Sequence, residues 1–406
     1  MTAPFTSETV IAYAASRPEL QEEIFHGAAD LQAEALTEGN VNVIFRVFSA
    51  RDPQNKSVIL KQALPHSWRY PDLIMPVERS RIEYQVLQLE ARYCPEQTVR
   101  IYFHDAERNI NAFEDLNQHV VMREGLARQN KYPLAAQHVG TFMARTLFYT
   151  SDLFLSSGEK KALVPHFINA GMVKVQEDLV FTQPVQPHPN NRWTRGIEPQ
   201  VAAIYNDDTI RADVFLLKEK YMTNAQALIH NDLHTGSILV NERETKVIDP
   251  EFAFFGPIAH DVGSYIANLA IAYAAQEFHA KTDAVRADYR AWLVSSLAET
   301  WEVLYAEFSR LWENEGNGEW PSPTYRKNYM RALLQDTTGF AAAEIYRRLI
   351  GLAHVSDLWT ITDEHTRAQV ESLGVNIATA WLKARRGVTQ ISDLTELMTA
   401  AKITYP

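Results

Sequence analysis

A short β-rich stretch interrupts the helical part of this 406-residue chain. Ile238-Leu239-Val240 and Lys246-Val247-Ile248 read as the two strands of a hairpin, and both of its flanks are acidic. Ahead of it runs His230-Asn231-Asp232-Leu233-His234-Thr235-Gly236-Ser237, and Asp249-Pro250-Glu251 follows twelve residues after Ser237. Two acidic sites on either side of a hairpin suit phosphoryl transfer. The first aspartate orients or deprotonates a hydroxyl, and the second acidic group holds a magnesium ion that bridges phosphate oxygens.

The surrounding pattern changes character once. Glu8 to Ala15 and Pro18 to Ala35 read as helices. Val41 to Phe48 and Ser57 to Gln62 read as strands, joined by turn chemistry at Arg51-Asp52-Pro53-Gln54-Asn55. A loop bounded by Pro65 and Pro76 leads to a helix from about Val77 to Tyr93, with Ile82, Val86, Leu89 and Tyr93 on one stripe. Thr98 to Phe103 and Asn111 to Phe113 are further strand candidates, and Glu114-Asp115-Leu116-Asn117 reads as a crossing point between lobes. Helical pattern then dominates, at Pro133 to Asp152, Val201 to Thr223 and from Arg286 onward, with a loop at Gln183 to Asn191. A helix at Asp261 to Ala275 places Asp261 near its start, where a carboxylate can cap free amides. The expected plan is α+β and bilobal. A small lobe with an antiparallel sheet, residues 1–117, precedes a larger, mainly helical catalytic and substrate-binding lobe, residues 118–406.

Composition narrows the class. The chain is 46% hydrophobic, ample for a large core. It carries 50 acids against 39 bases, a net charge of −11, which makes it a poor non-specific binder of nucleic acid. Its one cysteine, Cys94, cannot form an intramolecular disulfide and reads as a buried apolar residue, which fits a cytoplasmic home. No stretch approaches the ~18 consecutive apolar residues of a membrane span, and Ile266 to Ala275 reads as a buried helix. No basic leader with an apolar run opens the sequence, so no signal peptide is expected.

Asp232 is the candidate to receive the acceptor hydroxyl. Ser237, five residues on, is a candidate oxygen donor to metal. His230 reads as a structural hydrogen-bonding residue of its loop, and His234 as either a loop pin or a substrate contact. Asp249 and Glu251 stand at i and i+2, and in an extended segment they point the same way, so both can converge on magnesium. Upstream, Gly39 and Asn40 join a helix to the first strand, as a phosphate-holding loop or a plain turn. Lys61 ends the second strand, where it can reach nucleotide phosphates, and Glu83 on the following helix can pair with it. Arg347 and Arg348 are adjacent on a helix and project ~100° apart, which by pattern alone reads as a surface pair.

His-x-Asp-x-His-x-Gly-Ser, then Ile-Asp-x-Glu-Phe-x-Phe-x-Gly-Pro-Ile with Asp261 following, resembles the 5-methylthioribose kinase family, in the aminoglycoside-phosphotransferase branch of the protein-kinase-like fold. The resemblance spans nearly the whole chain. Lys61-Gln62-Ala63-Leu64-Pro65, Arg79-Ser80-Arg81-Ile82-Glu83, Glu114-Asp115-Leu116, His166-Phe167-Ile168-Asn169, Arg347-Arg348 and Gly351-Leu352-Ala353-His354-Val355-Ser356-Asp357 follow in family order. It implies ATP- and magnesium-dependent phosphorylation of the anomeric hydroxyl of 5-methylthioribose, in methionine salvage, by a homodimer. By motif match, Asp232 is the base, Asp249 and Glu251 hold the metal, and Lys61 contacts phosphates. The backbone around Glu114 and Leu116 holds adenine, and Arg347 and Arg348 bind the sugar or offset charge on the transferring group.

The chain departs from the family pattern in places. Asn231 replaces a glycine, Glu38 an aspartate, and Trp359 a small acidic residue. His66 to Pro76 replaces a Gly-x-x-Trp-Pro loop, with Trp68 out of register. The changes gather near the substrate. A related 5-substituted or 5-deoxy pentose is therefore the alternative acceptor, and a low-turnover nucleotide- or sugar-binding protein is the alternative class.

Overall fold

In the computed structural model, residues 3–36, 41–67 and 74–405 are described. Glu38, Gly39 and Asn40, and Trp68 to Leu73 of the substituted loop, lie outside them. The chain forms two compact units. One comprises Met1–His119, Asn169–Met172 and Lys246–Ala253, and the other Val120–Ile168, Val173–Thr245 and Phe254–Pro406.

The first unit is built on a five-stranded antiparallel sheet. Its strands are β1 (Leu31–Leu36), β2 (Val43–Ser49), β3 (Ser57–Gln62), β4 (Ile101–Asp105) and β5 (Ile110–Glu114), in spatial order β1-β2-β3-β5-β4. β3 is the central strand, with Lys61 opposite Ile44 on one side and Asn111 on the other. One face of the sheet buries Phe45, Val47, Val58, Leu60 and Ile110 against Val10, Leu20, Ile24 and Phe25 of the N-terminal helices. A smaller cluster of Leu87, Val99 and Phe113 takes in Ile59, Leu116 and Ile248.

The N-terminal helix runs Ser7–Ser16, with Thr6 and Thr9 forming a reciprocal cap. The helix expected from Pro18 to Ala35 stops at Phe25. His26 and Gly27 take left-handed backbone angles, φ 49° and 77°, and end it. Leu31–Leu36, although composed of good helix formers, instead pairs along β2, with Leu31 opposite Ser49. Sheet pairing outweighs a local propensity worth tenths of a kcal/mol per residue.

The helix Arg79–Tyr93 buries a face rotated from the expected stripe. Ile82, Val86 and Leu87 are inside, and Arg79, Glu83 and Glu90 are buried with them, whereas Leu89 and Tyr93 are only partly covered. Cys94, which follows it, is buried, as expected.

The second unit is mainly helical. Ile258–His279 is buried along nearly its whole length and packs on Pro323–Leu349, Glu364–Ala384 and Asp283–Glu315. Residues 201–223, read as one helix, form two, Glu198–Asn206 and Asp208–Thr223. Asp207 breaks the run and accepts a hydrogen bond from the Thr209 amide at 3.0 Å. Two short antiparallel pairs frame the loop that carries Asp232: Ala227–Ile229 with Phe254–Gly256, and Val120–Val121 with Ile238–Val240. Among the described residues no helix is long and apolar enough to cross a membrane.

Candidate active site

The expected site residues fall into two groups, one in each unit. In the first unit the central charge is Lys61, buried near the end of β3. Its ammonium donates to Glu83 Oε1 at 2.7 Å, contacts Asp249 Oδ1, and lies 3.7 Å from Glu251 Oε2. Glu83 is fixed on its other oxygen by Asn111 Nδ2 at 2.8 Å. The Lys61–Glu83 pair thus forms as the spacing suggested.

Glu251 is held by residues the sequence reading gave no role. Its Oε2 accepts from Asn42 Nδ2 at 2.9 Å and from Arg79 Nε at 3.2 Å. Arg79 is fully buried, and its Nη1 donates to the carbonyls of Leu64, Met75 and Pro76. Asn169 Nδ2 donates to the Glu251 carbonyl at 2.9 Å and the Ala253 carbonyl at 3.2 Å, pinning the acidic segment from behind. A clue to Arg79 was present, since it stands four residues before Glu83 and shares its helix face.

The i, i+2 argument for Asp249 and Glu251 assumed a geometry the segment does not have. The segment is not extended, because Asp249 has φ 70°, a left-handed angle rare for a residue with a side chain. That turn aims both carboxylates at Lys61.

Three carboxylates (Glu83, Asp249, Glu251) face two cations (Lys61, Arg79), which leaves one negative charge in excess. Burial alone would lower the Lys61 ammonium, but Asp249, Glu251 and Glu83 more than offset this and keep it charged. Burial, then the charges of Glu251 and Glu83, push the Asp249 carboxyl up against the pull of Lys61. Its side chain is still 44% exposed and can be reached from solvent. A reachable carboxylate in a surplus of negative charge suits magnesium, which takes one or two carboxylates and completes its shell with phosphate oxygens and water. Among the described residues no group of three or more His, Cys, Asp and Glu side chains is arranged to hold a metal by itself.

In the second unit, Asp232 is the hub. Its Oδ1 accepts from Arg347 Nη1 at 3.2 Å and Arg348 Nη2 at 3.3 Å, and its Oδ2 lies 3.3 Å from His234 Nε2. The arginines are not a surface pair, being 5% and 6% exposed on a helix packed into the core. What the helical pattern could not convey is Glu344, also buried. It accepts from Arg348 Nε at 2.5 Å and from Arg347 Nη1 at 3.2 Å, so two carboxylates balance two guanidinium groups. Burial would raise the Asp232 carboxyl, but His234, Arg347 and Arg348 hold it well below the usual carboxylate range.

His234 pins its loop. Its Nδ1 accepts from the Gly236 amide at 3.0 Å, which leaves Nε2–H to face Asp232. Burial lowers its pKa to about 4, so the ring is neutral at pH 7. Ser237 Oγ donates to the Asp232 carbonyl at 3.0 Å and closes the same turn.

The loop is clamped from below. Asp261 does not cap its own helix, which begins at Ile258. Its carboxylate accepts instead from the His230 amide at 2.7 Å and the Asn231 amide at 2.8 Å. Asn231 stands at φ 69°, where glycine is favoured. Asparagine is among the side chains that tolerate this region, and here Tyr221 Oη donates to its Oδ1 at 3.0 Å while Gln176 Nε2 donates to its carbonyl at 2.8 Å. The replacement of glycine is thus accommodated by the fold.

Glu114, at the end of β5, exchanges hydrogen bonds with Arg100. Its amide donates to the Arg100 carbonyl at 3.0 Å, and its Oε1 accepts from the Arg100 amide at 2.6 Å. The Leu116 carbonyl accepts from the His119 amide at 2.9 Å, which shapes the turn that follows.

Comparisons with known proteins show what the chain is similar to. Residues 190–302 match the phosphotransferase enzyme family (APH). The chain is 36% identical to the methylthioribose kinase of Bacillus cereus (strain 03BB102) over 388 residues, covering 93% of this chain and 92% of that one. It has the same identity and coverage with the methylthioribose kinase of Bacillus thuringiensis (strain Al Hakam). Among solved structures it is similar to Plasmodium vivax ethanolamine kinase, with a TM-score of 0.44 at 10% identity over 97% of this chain and 88% of that one. Choline kinase from Cryptosporidium parvum Iowa II gives 0.45 at 10% identity over 97% and 95%.

Proposed function

The chain belongs to the methylthioribose kinase family, and from that we propose that it transfers the γ-phosphoryl group of ATP to the C1 hydroxyl of 5-methylthioribose. It is an ATP-dependent small-molecule kinase, and a step in methionine salvage is consistent with the name its relatives carry. The observation that carries the acceptor reading is the Asp232–Arg347–Arg348–Glu344 cluster, a carboxylate faced by two buried guanidinium groups.

Asp232 accepts the acceptor hydroxyl's proton as a hydrogen bond. A carboxylate held this low is a weak proton trap, so its work is to orient the hydroxyl and to take the proton late, as the phosphoryl group arrives. Arg347 and Arg348 offset the charge on the transferring group in this reading, once they loosen from Asp232. Lys61 meets nucleotide phosphates, kept charged and aimed by Glu83. Asp249, with Glu251, would hold magnesium, which screens phosphate charge when bound. The adenine is assigned to the backbone around Glu114 and Leu116. A homodimer and a cytoplasmic site of action belong to the same reading.

The test is a coupled ADP-release assay. Wild type is expected to release ADP only when 5-methylthioribose is present, and Asp232→Ala to lose at least about a hundredfold in kcat while ATP still raises its melting temperature. Absence of sugar-dependent ADP with any pentose would make the chain a binding protein.

A further inference from the structure

The arginine pair leads outward to an aromatic side chain that the reaction as described leaves unused. Arg348, bonded to Asp232, also donates from Nη1 to the Ala353 carbonyl at 3.4 Å. The next residue, His354, packs edge-on against Trp359, with ring centroids 5.0 Å apart and planes at 74°. The Arg367 guanidinium lies 5.7 Å from the centre of the indole ring. Trp359 is nevertheless 56% exposed, although its ring is held from two sides.

Arg367 is itself fixed, since its Nε donates to Thr194 Oγ1 at 2.8 Å and its Nη1 to the Ile361 carbonyl at 3.1 Å. Thr194 in turn donates from its hydroxyl and its amide to the buried carboxylate of Glu371, at 2.7 and 2.8 Å. A large apolar surface is thus propped in place and left open, on the segment that immediately follows the arginine helix. An indole held in one orientation offers a large apolar face of defined geometry on which an apolar ligand group can pack.

We propose that Trp359, backed by His354 and Arg367, is a specificity-determining residue that forms the apolar wall for the 5-substituent of the sugar. The inference rests on the sugar-kinase reading and deepens it by assigning the end of the acceptor remote from the reacting hydroxyl. With C1 at Asp232, the ribose ring and its 5-substituent extend away from that carboxylate, and the Arg348–Ala353–His354 run leads to the indole. A thioether suits the site, because sulfur packs favourably at an aromatic ring. The His354 ring reinforces the apolar character. Burial and the charges of Arg192, Arg367 and Arg348 lower its pKa to about 4, so it faces the indole uncharged at neutral pH. A hydroxyl at the same place gains no partner from an indole face.

The experiment compares 5-methylthioribose with ribose, which carries a hydroxyl at C5, in wild type, Trp359→Ala and Trp359→Phe. Trp359→Ala is expected to raise KM for 5-methylthioribose about tenfold and to cut the kcat/KM preference over ribose by a similar factor, the scale of a lost apolar contact in a pocket. Trp359→Phe is expected to restore most of that preference, and KM for ATP serves as the internal reference. An unchanged preference in Trp359→Ala, with wild type active on 5-methylthioribose, overturns this inference and leaves the kinase reading standing. A wild type that releases no ADP with 5-methylthioribose overturns the assignment of that acceptor and this inference with it. Because the indole is half exposed, folding is expected to survive both substitutions, and a melting curve for each variant checks this.

Discussion

At the scale of single residues, the acceptor group depends on a side chain that touches no reacting atom. Glu344 gives the Arg347 and Arg348 guanidinium groups a second carboxylate besides Asp232. If Asp232 is to turn toward a hydroxyl, the arginines need a second partner that stays, and Glu344 is that partner. Burial would raise its carboxyl, but Arg347 and Arg348 hold it below the ordinary value. Asp232 is likewise held low. For such groups the stabilising contribution is present above the unfolded-state value near 4 and is lost only as pH falls through the lower folded value, so the cluster stays ionised at neutral pH. Glu344→Gln leaves a guanidinium short of a counter-charge in the core. It is expected to cost roughly 3 kcal/mol in denaturant unfolding and to lower kcat with little change in KM for ATP, with Glu344→Asp recovering part of both. Wild-type kcat and stability in Glu344→Gln would show that the arginines need no second carboxylate.

Among secondary-structure elements, the buried helix Ile258–His279 acts as an anvil for the catalytic loop. Its Asp261 holds two successive amides, those of His230 and Asn231, and so sets the direction in which Asp232 leaves the loop. Asp261→Ala orphans both amides. It is expected to lower kcat at least about tenfold through misplaced Asp232, to leave KM for ATP nearly unchanged, and to speed hydrogen exchange at the His230 and Asn231 amides. Amide protection equal to wild type would remove Asp261 from this role. β1 makes a different point about elements. Its residues favour helix one by one, and only the partner strand β2 makes them a strand. The expectation at Pro18 to Ala35 failed because pairing partners lie outside any local window.

For the whole molecule, the division into units cuts across chain order. The Asp249–Glu251 segment belongs with the sheet-bearing unit, although it comes well over a hundred residues after that sheet ends. The charges of Lys61, Glu83, Asp249, Glu251 and Arg79 are therefore one cluster in one unit. Ligands that bind only the folded state raise apparent stability by mass action, by about 2.7 kcal/mol at a hundredfold excess over Kd. ATP with magnesium is expected to raise the melting temperature of the protein, and chelation with EDTA to remove most of the gain. Asp249→Ala is expected to abolish the magnesium-dependent part, whereas Asp232→Ala retains it. A magnesium-dependent shift that survives in Asp249→Ala would move the metal to other ligands.

The sequence by itself determined the chemical residues and most of the elements and their order, though not the strand at Leu31–Leu36. The hairpin with Asp232 before it and Asp249 and Glu251 after it, the strand bearing Lys61 and the helix bearing Glu83 were all legible, because periodicity and short-range spacing are local properties. Only the tertiary structure decided which charges are buried together. Arg347 and Arg348 read as a surface pair until Asp232, 115 and 116 positions away, and Glu344 closed around them. Arg79 gained its role from Glu251, 172 positions away. Asp249 took a left-handed angle where an extended one was expected. Burying a charge is unfavourable unless partners arrive with it, and those partners come from distant parts of the chain.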